Sequence, residues 1–131
     1  MKYEKSCGAI VLKEDKVLII KQKSGIYGFP KGHMEKDETE VLTAIREIKE
    51  ETNIDIEIKE DLRFSISYLI NENIKKEVVY FIGHPKNNDI KIQEDELISA
   101  EWISIEEVEN ILTYDNLKEL WRKVKDEISK K

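Results

Sequence analysis

The segment between residues 38 and 52 combines two patterns on one helical period, and it constrains the fold more than any other part of the chain. At about 100° per residue, its apolar positions share one face. These positions are Val41, Ala44, Ile45, Ile48 and Thr52. Glu47, Glu50 and Glu51 cluster on a flank away from that face. The segment therefore predicts an amphipathic helix with one face in a core and three carboxylates close together.

Both ends of this helix carry sequence signals. Asp37 belongs to the residue types that cap helices, and Glu40 follows at the spacing of a capping-box partner. Asn53 comes directly after the helical pattern and belongs to the residue types that end helices in the left-handed conformation. We therefore expect a helix that is capped by Asp37 and ends at Asn53.

Three carboxylates within one helical turn repel each other unless a cation lies among them. Hard divalent cations such as Mg²⁺ take oxygen ligands and usually share them with substrate phosphates. The glycine-rich loop before the helix lets backbone approach the same place, where the Gly32 carbonyl offers a further oxygen. The alternative is a solvated acidic face that is neutralised by lysines. That alternative leaves unexplained why Arg46, one of three arginines against nineteen lysines, directly precedes the cluster.

The rest of the chain mixes strands and helices without a regular alternation. Short β-branched runs predict strands over residues 7–12, 17–20, 56–58, 63–70, 77–83 and 99–103. Ser104 is expected to cap a short helix, and a last amphipathic helix is expected over residues 115–129. Its predicted buried stripe consists of Leu117, Leu120, Trp121 and Val124. We expect one domain over residues 1–131, an α/β fold arranged as an α/β/α sandwich around a mixed β-sheet.

Composition excludes several classes of protein. The net charge of −6 argues against broad electrostatic binding to long nucleic acids or to an anionic membrane face. Cys7 is the single cysteine, so an internal disulfide and a multi-thiolate zinc site are excluded. The N-terminus does not resemble a signal peptide, and no apolar run has the length of about 20 residues that a membrane span needs. We expect a soluble, cytoplasmic monomer that acts on a small molecule.

The acidic segment and its flanks resemble a known motif. The spacing Gly32-x5-Glu38-x7-Arg46-Glu47-Ile48-x-Glu50-Glu51-x-Asn53-Ile54 resembles the Nudix box of the Nudix hydrolases. The family pattern has glycine where this chain has Asn53, and asparagine tolerates the same left-handed conformation. The resemblance implies the Nudix sandwich fold. It also implies Mg²⁺- or Mn²⁺-dependent cleavage of a nucleoside diphosphate that is linked to another group.

The resemblance also implies roles for individual residues. By position, Glu47, Glu50 and Glu51 would be metal ligands, with the Gly32 carbonyl beside them. Arg46 would orient the glutamates, and Glu38 would have a structural role that ties the loop to the helix. Which glutamate is the general base is left open.

The sequence of the loop before the helix narrows the range of candidate substrates. Residues 25–33, with the run Pro30-Lys31-Gly32-His33, resemble the loop of the asymmetrically cleaving diadenosine tetraphosphate hydrolases. Lys31 offers a point charge for phosphate, and His33 offers a donor whose charge switches with pH. For His33, a capping or packing role in the loop is the open alternative.

Four residues further along the chain are candidates through the same resemblance. Glu96 lies where these hydrolases carry an extra glutamate over the metals, and a solvated acidic loop is the alternative. Lys76 stands just before a predicted strand and is a candidate substrate contact. Tyr80 and Tyr114 come from separate elements and are candidates to stack on an adenine, although core packing is the usual fate of a strand tyrosine.

The resemblance predicts hydrolysis of diadenosine tetraphosphate to ATP and AMP. A second hypothesis keeps the Nudix chemistry but changes the substrate to an oxidised nucleotide, an RNA 5′ end or a diphosphoinositol polyphosphate. A third is a non-catalytic ligand sensor with the same fold. Such sensors commonly lack box glutamates, whereas this chain retains Glu47, Glu50 and Glu51, which favours an enzyme.

Overall fold

The computed structural model describes residues 1–130, which form seven strands and three helices. The strands are β1 (Lys2–Lys13), β2 (Lys16–Gln22), β3 (Tyr27–Gly28), β4 (Lys31–His33), β5 (Ile56–Asn71), β6 (Ile74–Pro85) and β7 (Leu97–Ser104). The helices are α1 (Glu40–Thr52), α2 (Ile105–Ile111) and α3 (Asp115–Ser129). Every predicted strand segment lies within a strand and is shorter than observed, and the two predicted over residues 56–58 and 63–70 form the single strand β5. The short strands β3 and β4 lie where the sequence indicated only a loop.

The sheet is mixed, as predicted. Its main path runs β3-β2-β1-β6-β5, with β4 paired to β1 and β7 paired to β2. Strand β1 is parallel to β6 and antiparallel to both β2 and β4. On the edge of β1 away from β6, residues 6–8 pair with β4 and residues 12–13 pair with β2. Strands β4 and β2 are therefore neighbours along the same edge of β1.

Helices cover both faces of the sheet, which confirms the α/β/α sandwich. Side chains alternate along β1, so Ala9 and Val11 pack on the α1 side while Ile10 packs on the side of α2 and α3. The predicted stripe of α3 is buried in this second cluster, in which Trp121 is fully covered. Within residues 1–130, no helix is long and apolar enough to cross a membrane.

The predicted cap of α1 is wrong by two residues. Thr39 is the N-cap, and its hydroxyl accepts a hydrogen bond from the Leu42 N–H at 3.1 Å. Asp37 has a φ of 69°, which is left-handed rather than the extended backbone of an N-cap. Glu40 does not act as a capping-box partner because its carboxylate binds Lys5 and Arg63 instead. These two cations come from distant strands, so local sequence spacing does not reveal them.

The predicted end of α1 is confirmed. Asn53 has a φ of 66°, and its N–H donates to the Lys49 carbonyl at 2.9 Å. Its side-chain amide also donates to the Asp89 carbonyl at 2.9 Å, which holds the loop after β6 against the helix. Asparagine therefore supplies both the left-handed turn and a contact that glycine lacks.

The role of Asn53 predicts an ordering of two variants. Asn53→Ala should lower the free energy of unfolding by about 1–2 kcal/mol, because alanine is strained at positive φ and cannot bind Asp89. Asn53→Gly should lie within about 0.5 kcal/mol of the native protein, since the lost contact is offset by the relaxed backbone. Urea unfolding measures both, and an alanine variant as stable as the glycine variant would contradict this account.

Candidate active site

Strand β4 lies directly against helix α1, and glycine makes this approach possible. Gly32 pairs with Cys7 of β1, and its Cα faces the carboxylate of Glu47. A Cβ at Gly32 would overlap that carboxylate. Lys31, the residue before it, faces the opposite side of the strand, where its Cβ lies close to Gly8. The alternation of β4 therefore directs Gly32 to the acidic helix and Lys31 to the side of α3.

Arg46 connects the glutamates to the loop. Its guanidinium binds both carboxylate oxygens of Glu38, at 2.6 and 3.0 Å. One terminal nitrogen donates to Glu47 at 2.8 Å and to Glu50 at 3.2 Å. The other donates to the His33 carbonyl at 2.9 Å. One planar side chain thus fixes two glutamates of the cluster and the end of β4.

Glu38 has the structural position that the motif implies. Its carboxylate accepts hydrogen bonds from the Glu35 N–H and from the Thr43 hydroxyl, both at 2.9 Å, in addition to Arg46. The Arg46 contact is the main cause that lowers the pKa of Glu38 to about 2. Glu38 therefore stays ionised and ties the loop to the first turns of α1.

Glu51 lies in the opposite environment. Its residue surface is only 6% exposed, and its carboxylate accepts the Lys31 N–H at 3.0 Å. Burial is the main cause that raises its pKa to about 8, and the neighbouring Glu47 raises it further. The positive charge of Lys31 offsets part of this shift. In the absence of a cation, Glu51 is therefore mostly protonated at neutral pH.

The other acidic side chains of the cluster are candidate oxygen ligands for a cation. Burial raises the pKa of Glu47, while Arg46 lowers it and the charges of Glu50 and Glu96 raise it. Within residues 1–130, no three acidic, histidine or cysteine side chains already enclose one common point. Glu50 is half-exposed, and its carboxylate accepts a hydrogen bond from Arg46 at 3.2 Å. Buried oxygen donors that repel each other match the ligand preference of Mg²⁺ or Mn²⁺.

An acidic cavity of about 550 Å³ brings most of the candidates together. The candidate residues on its wall are Lys31, Gly32, His33, Glu47, Glu50, Glu51 and Glu96. Ser6, Gln22 and Gln93 also line it. Glu96 comes from the loop before β7 and lies within electrostatic range of Glu47 and Glu51.

A second cavity of about 560 Å³ adjoins the first and is mostly aromatic and apolar. Gln22 and Lys31 line both cavities and so mark the boundary between them. Tyr68 and Tyr114 lie on its wall with exposures of 39% and 50%. Tyr80 also lies on the wall, but it is 1% exposed.

Two predicted substrate contacts occupy different surroundings from those expected. Tyr80 packs edge-on against Phe29, with ring centroids 5.6 Å apart, and belongs to the core. Lys76 is 7% exposed and is not among the residues that line the two cavities. Burial and the charge of Lys31 lower its pKa, which places its ammonium group within electrostatic range of Lys31.

Sequence reasoning missed Tyr68, Gln22 and Asn116, which all line the aromatic cavity. A signal for Tyr68 exists in the alternation of β5. Phe64 pairs with Tyr80 and Tyr68 pairs with Lys76 across the β5–β6 ladder, so Tyr68 shares the face of Tyr80. Gln22 and Asn116 carry no such local signal, because their positions depend on how β2 and α3 pack.

Comparisons with known proteins agree with this geometry. The family model described as the NUDIX domain matches residues 2–126. The asymmetrical bis(5′-nucleosyl)-tetraphosphatase of Sus scrofa is 26% identical over 130 residues, which cover 87% of this chain and 88% of that protein. Nudix hydrolase 6 of Arabidopsis thaliana is 32% identical over 88% of this chain and 44% of its own length.

A solved structure is similar over nearly the whole fold. The crystal structure of a binary complex of the C. elegans Ap4A hydrolase has a TM-score of 0.85 and 26% identity, and the match covers 98% of this chain and 99% of that one. The matched domain includes the loop, the acidic helix and the strands that form both cavities. The chain belongs to the Nudix hydrolase family.

Proposed function

We propose that the protein hydrolyses diadenosine tetraphosphate (Ap4A) to ATP and AMP with the help of Mg²⁺ or Mn²⁺. The observation that carries the proposal is the adjacency of two cavities, one acidic and one aromatic, with Lys31 on the boundary. An acidic cavity suits metal-bound phosphates, and an aromatic cavity suits a nucleobase. The similarity to asymmetrical tetraphosphatases over nearly the whole chain supports this substrate class.

The acidic cavity has the donors that a divalent cation needs. Glu47 and Glu51 would hold the ion, with Glu50, Glu96 and the Gly32 carbonyl as further oxygen donors. When bound, such an ion neutralises phosphate oxygens and lowers the pKa of a bound water. Metal binding also removes the repulsion that raises the pKa of Glu51.

Other residues of the chain would position Glu47, attract the phosphate chain and accept the proton. Arg46 keeps Glu47 in place, and Lys31 attracts the phosphate chain at the boundary of the cavities. His33 lines the acidic cavity and is a further candidate phosphate contact. The oxygen of a water molecule attacks phosphorus, the bridging P–O bond breaks, and a carboxylate of the acidic cavity accepts the proton. The products are ATP and AMP.

Tyr68 and Tyr114 are the side chains best placed to stack on the adenine. Both rings are partly exposed on the wall of the aromatic cavity, whereas Tyr80 lines the same wall but is 1% exposed and packs in the core. Lys76 is buried and adds positive charge within electrostatic range of Lys31. We therefore assign base stacking to Tyr68 and Tyr114, and support of the cavity wall to Tyr80. Action in the cytoplasm as a monomer stays a prediction.

The first prediction of the proposed function concerns metal dependence and the identity of the substrate. In Mg²⁺ or Mn²⁺ the protein should convert Ap4A to ATP and AMP, and excess EDTA should abolish turnover. Glu51→Gln should lower turnover by more than about a hundredfold, because it removes a charge that positions the ion. Ion-exchange chromatography of the products measures both effects.

The matched control is Glu107→Gln, which makes the same change at an exposed position of α2. It should retain native turnover. Full turnover in EDTA would contradict the metal-dependent mechanism. Faster cleavage of an oxidised nucleotide, an RNA 5′ end or a diphosphoinositol polyphosphate would keep the chemistry and replace the substrate, and absence of all turnover would favour a sensor.

The second prediction concerns the guanidinium of Arg46. Arg46→Lys keeps the charge, but a single ammonium cannot bind Glu38, Glu47 and the His33 carbonyl together. Turnover should fall by about 10- to 100-fold. Arg122→Lys is the control, because Arg122 binds Glu109 at 3.0 Å on the surface of α2 and α3 and lines neither cavity. Equal turnover in the two variants would remove Arg46 from the positioning role.

The third prediction separates stacking from core packing. Tyr68→Ala and Tyr114→Ala should raise KM for Ap4A by roughly 5- to 100-fold with little change in melting temperature. Tyr80→Ala should instead lower the free energy of unfolding by about 3–5 kcal/mol. The exposed Tyr3 lies away from both cavities, and Tyr3→Ala should change neither quantity. A native KM in both the Tyr68 and the Tyr114 variant would contradict the assignment.

A further inference from the structure

Asn116 has an unsatisfied carbonyl beside the aromatic cavity. It is the second residue of α3 and lines the cavity together with Tyr68 and Tyr114. Its Oδ1 is buried and has no hydrogen-bond partner. Within residues 1–130, the other buried side-chain atoms in this condition are Ser6 Oγ and Trp121 Nε1. Of these three residues, Asn116 is the one that lines the aromatic cavity.

An unsatisfied buried carbonyl costs stability, so an apolar side chain would suit this position better for folding alone. The next residue, Leu117, shows that the same wall accommodates an apolar side chain. The Oδ1 atom of Asn116 makes no hydrogen bond that a rotation of the amide would break. Rotation about χ2, a torsion with broad energy minima, therefore costs little free energy. Because Asn116 lines the aromatic cavity, a rotation that turns its amide toward the cavity would present either end of the group to a base.

The surroundings of Asn116 leave few other polar groups for a base. Most of the cavity wall is apolar or aromatic. Besides Asn116 and the tyrosines, its polar residues are Asp115, which directly precedes Asn116, and Gln22 and Lys31 at the boundary with the acidic cavity. Asn116 is the second residue of α3 and comes two residues after Tyr114, the N-cap of that helix. A base stacked on Tyr114 would present its polar edge near this amide.

We propose that Asn116 is a specificity-determining residue that binds the polar edge of the adenine. Its Oδ1 accepts a hydrogen bond from the 6-amino group, and its Nδ2 donates to a ring nitrogen. This inference rests on the proposed function, since it assumes that the aromatic cavity holds the base. Stacking alone is tolerant of base identity, so the amide supplies a selectivity that Tyr68 and Tyr114 cannot.

A double-mutant cycle tests the proposed contact without relying on hydrolysis. Calorimetry in Mg²⁺ compares the binding of ATP and of purine riboside 5′-triphosphate, which lacks the 6-amino group, to the native protein and to Asn116→Ala. Loss of the amino group should weaken binding to the native protein by about tenfold and to the variant by less than about twofold. Equal losses in the two proteins, or no binding of ATP to the native protein, would overturn the inference.

Two further variants separate recognition from folding. Asn116→Leu should keep or raise the melting temperature, because it removes the unsatisfied carbonyl, and it should show the same small effect of the amino group as the alanine variant. Asn116→Asp should shift preference from ATP to GTP, because a carboxylate accepts hydrogen bonds from guanine but offers no donor to adenine. An aspartate variant that still prefers ATP would contradict the proposal.

A failure of this inference can be distinguished from a failure of the proposed function. If the native protein cleaves Ap4A and the cycle shows no coupling, the role of Asn116 fails and the proposed function stands. If the cycle shows coupling and Ap4A is not cleaved, Asn116 binds adenine as proposed and the assignment of Ap4A as the substrate is wrong.

Discussion

The contact between β4 and helix α1 is the constraint on which the rest of the site depends. Gly32 allows the strand to approach the Glu47 carboxylate, and the buried Glu51 accepts the N–H of Lys31. This contact sets the direction of β4, so Lys31 reaches the boundary of the two cavities. The acidic and aromatic cavities are therefore held together by one short strand that is fixed to one helix.

The same helix holds carboxylates in two contrasting states. Glu38 binds the guanidinium of Arg46, which lowers its pKa to about 2 and makes it a permanent anion. Glu51 has no such partner, and burial raises its pKa to about 8. Between its ordinary pKa of 4.5 and about 8, the folded protein therefore binds more protons at Glu51 than the unfolded chain does. The metal-free fold loses stability as the pH rises through this range, and a bound cation reverses that loss.

Local patterns predict the parts of this site that one element determines. Helical spacing places the glutamates on one flank, and the conformational tolerance of asparagine predicts the left-handed Asn53. The cap of α1 is different, because Glu40 is drawn to cations on β1 and β5 and Asp37 adopts a positive φ. Tyr68 lines the aromatic cavity because β5 pairs with β6 and because α3 packs nearby. Local sequence spacing encodes neither of these arrangements.

The central claim is that burial keeps Glu51 protonated until a divalent cation replaces the proton. Calorimetric titration of Mn²⁺ into the metal-free protein at pH 7, in buffers of different ionisation enthalpy, measures the protons released on binding. With a pKa of about 8, Glu51 should release close to one proton per bound ion, and Glu51→Gln should release far less. Tight Mn²⁺ binding without proton release would contradict the account.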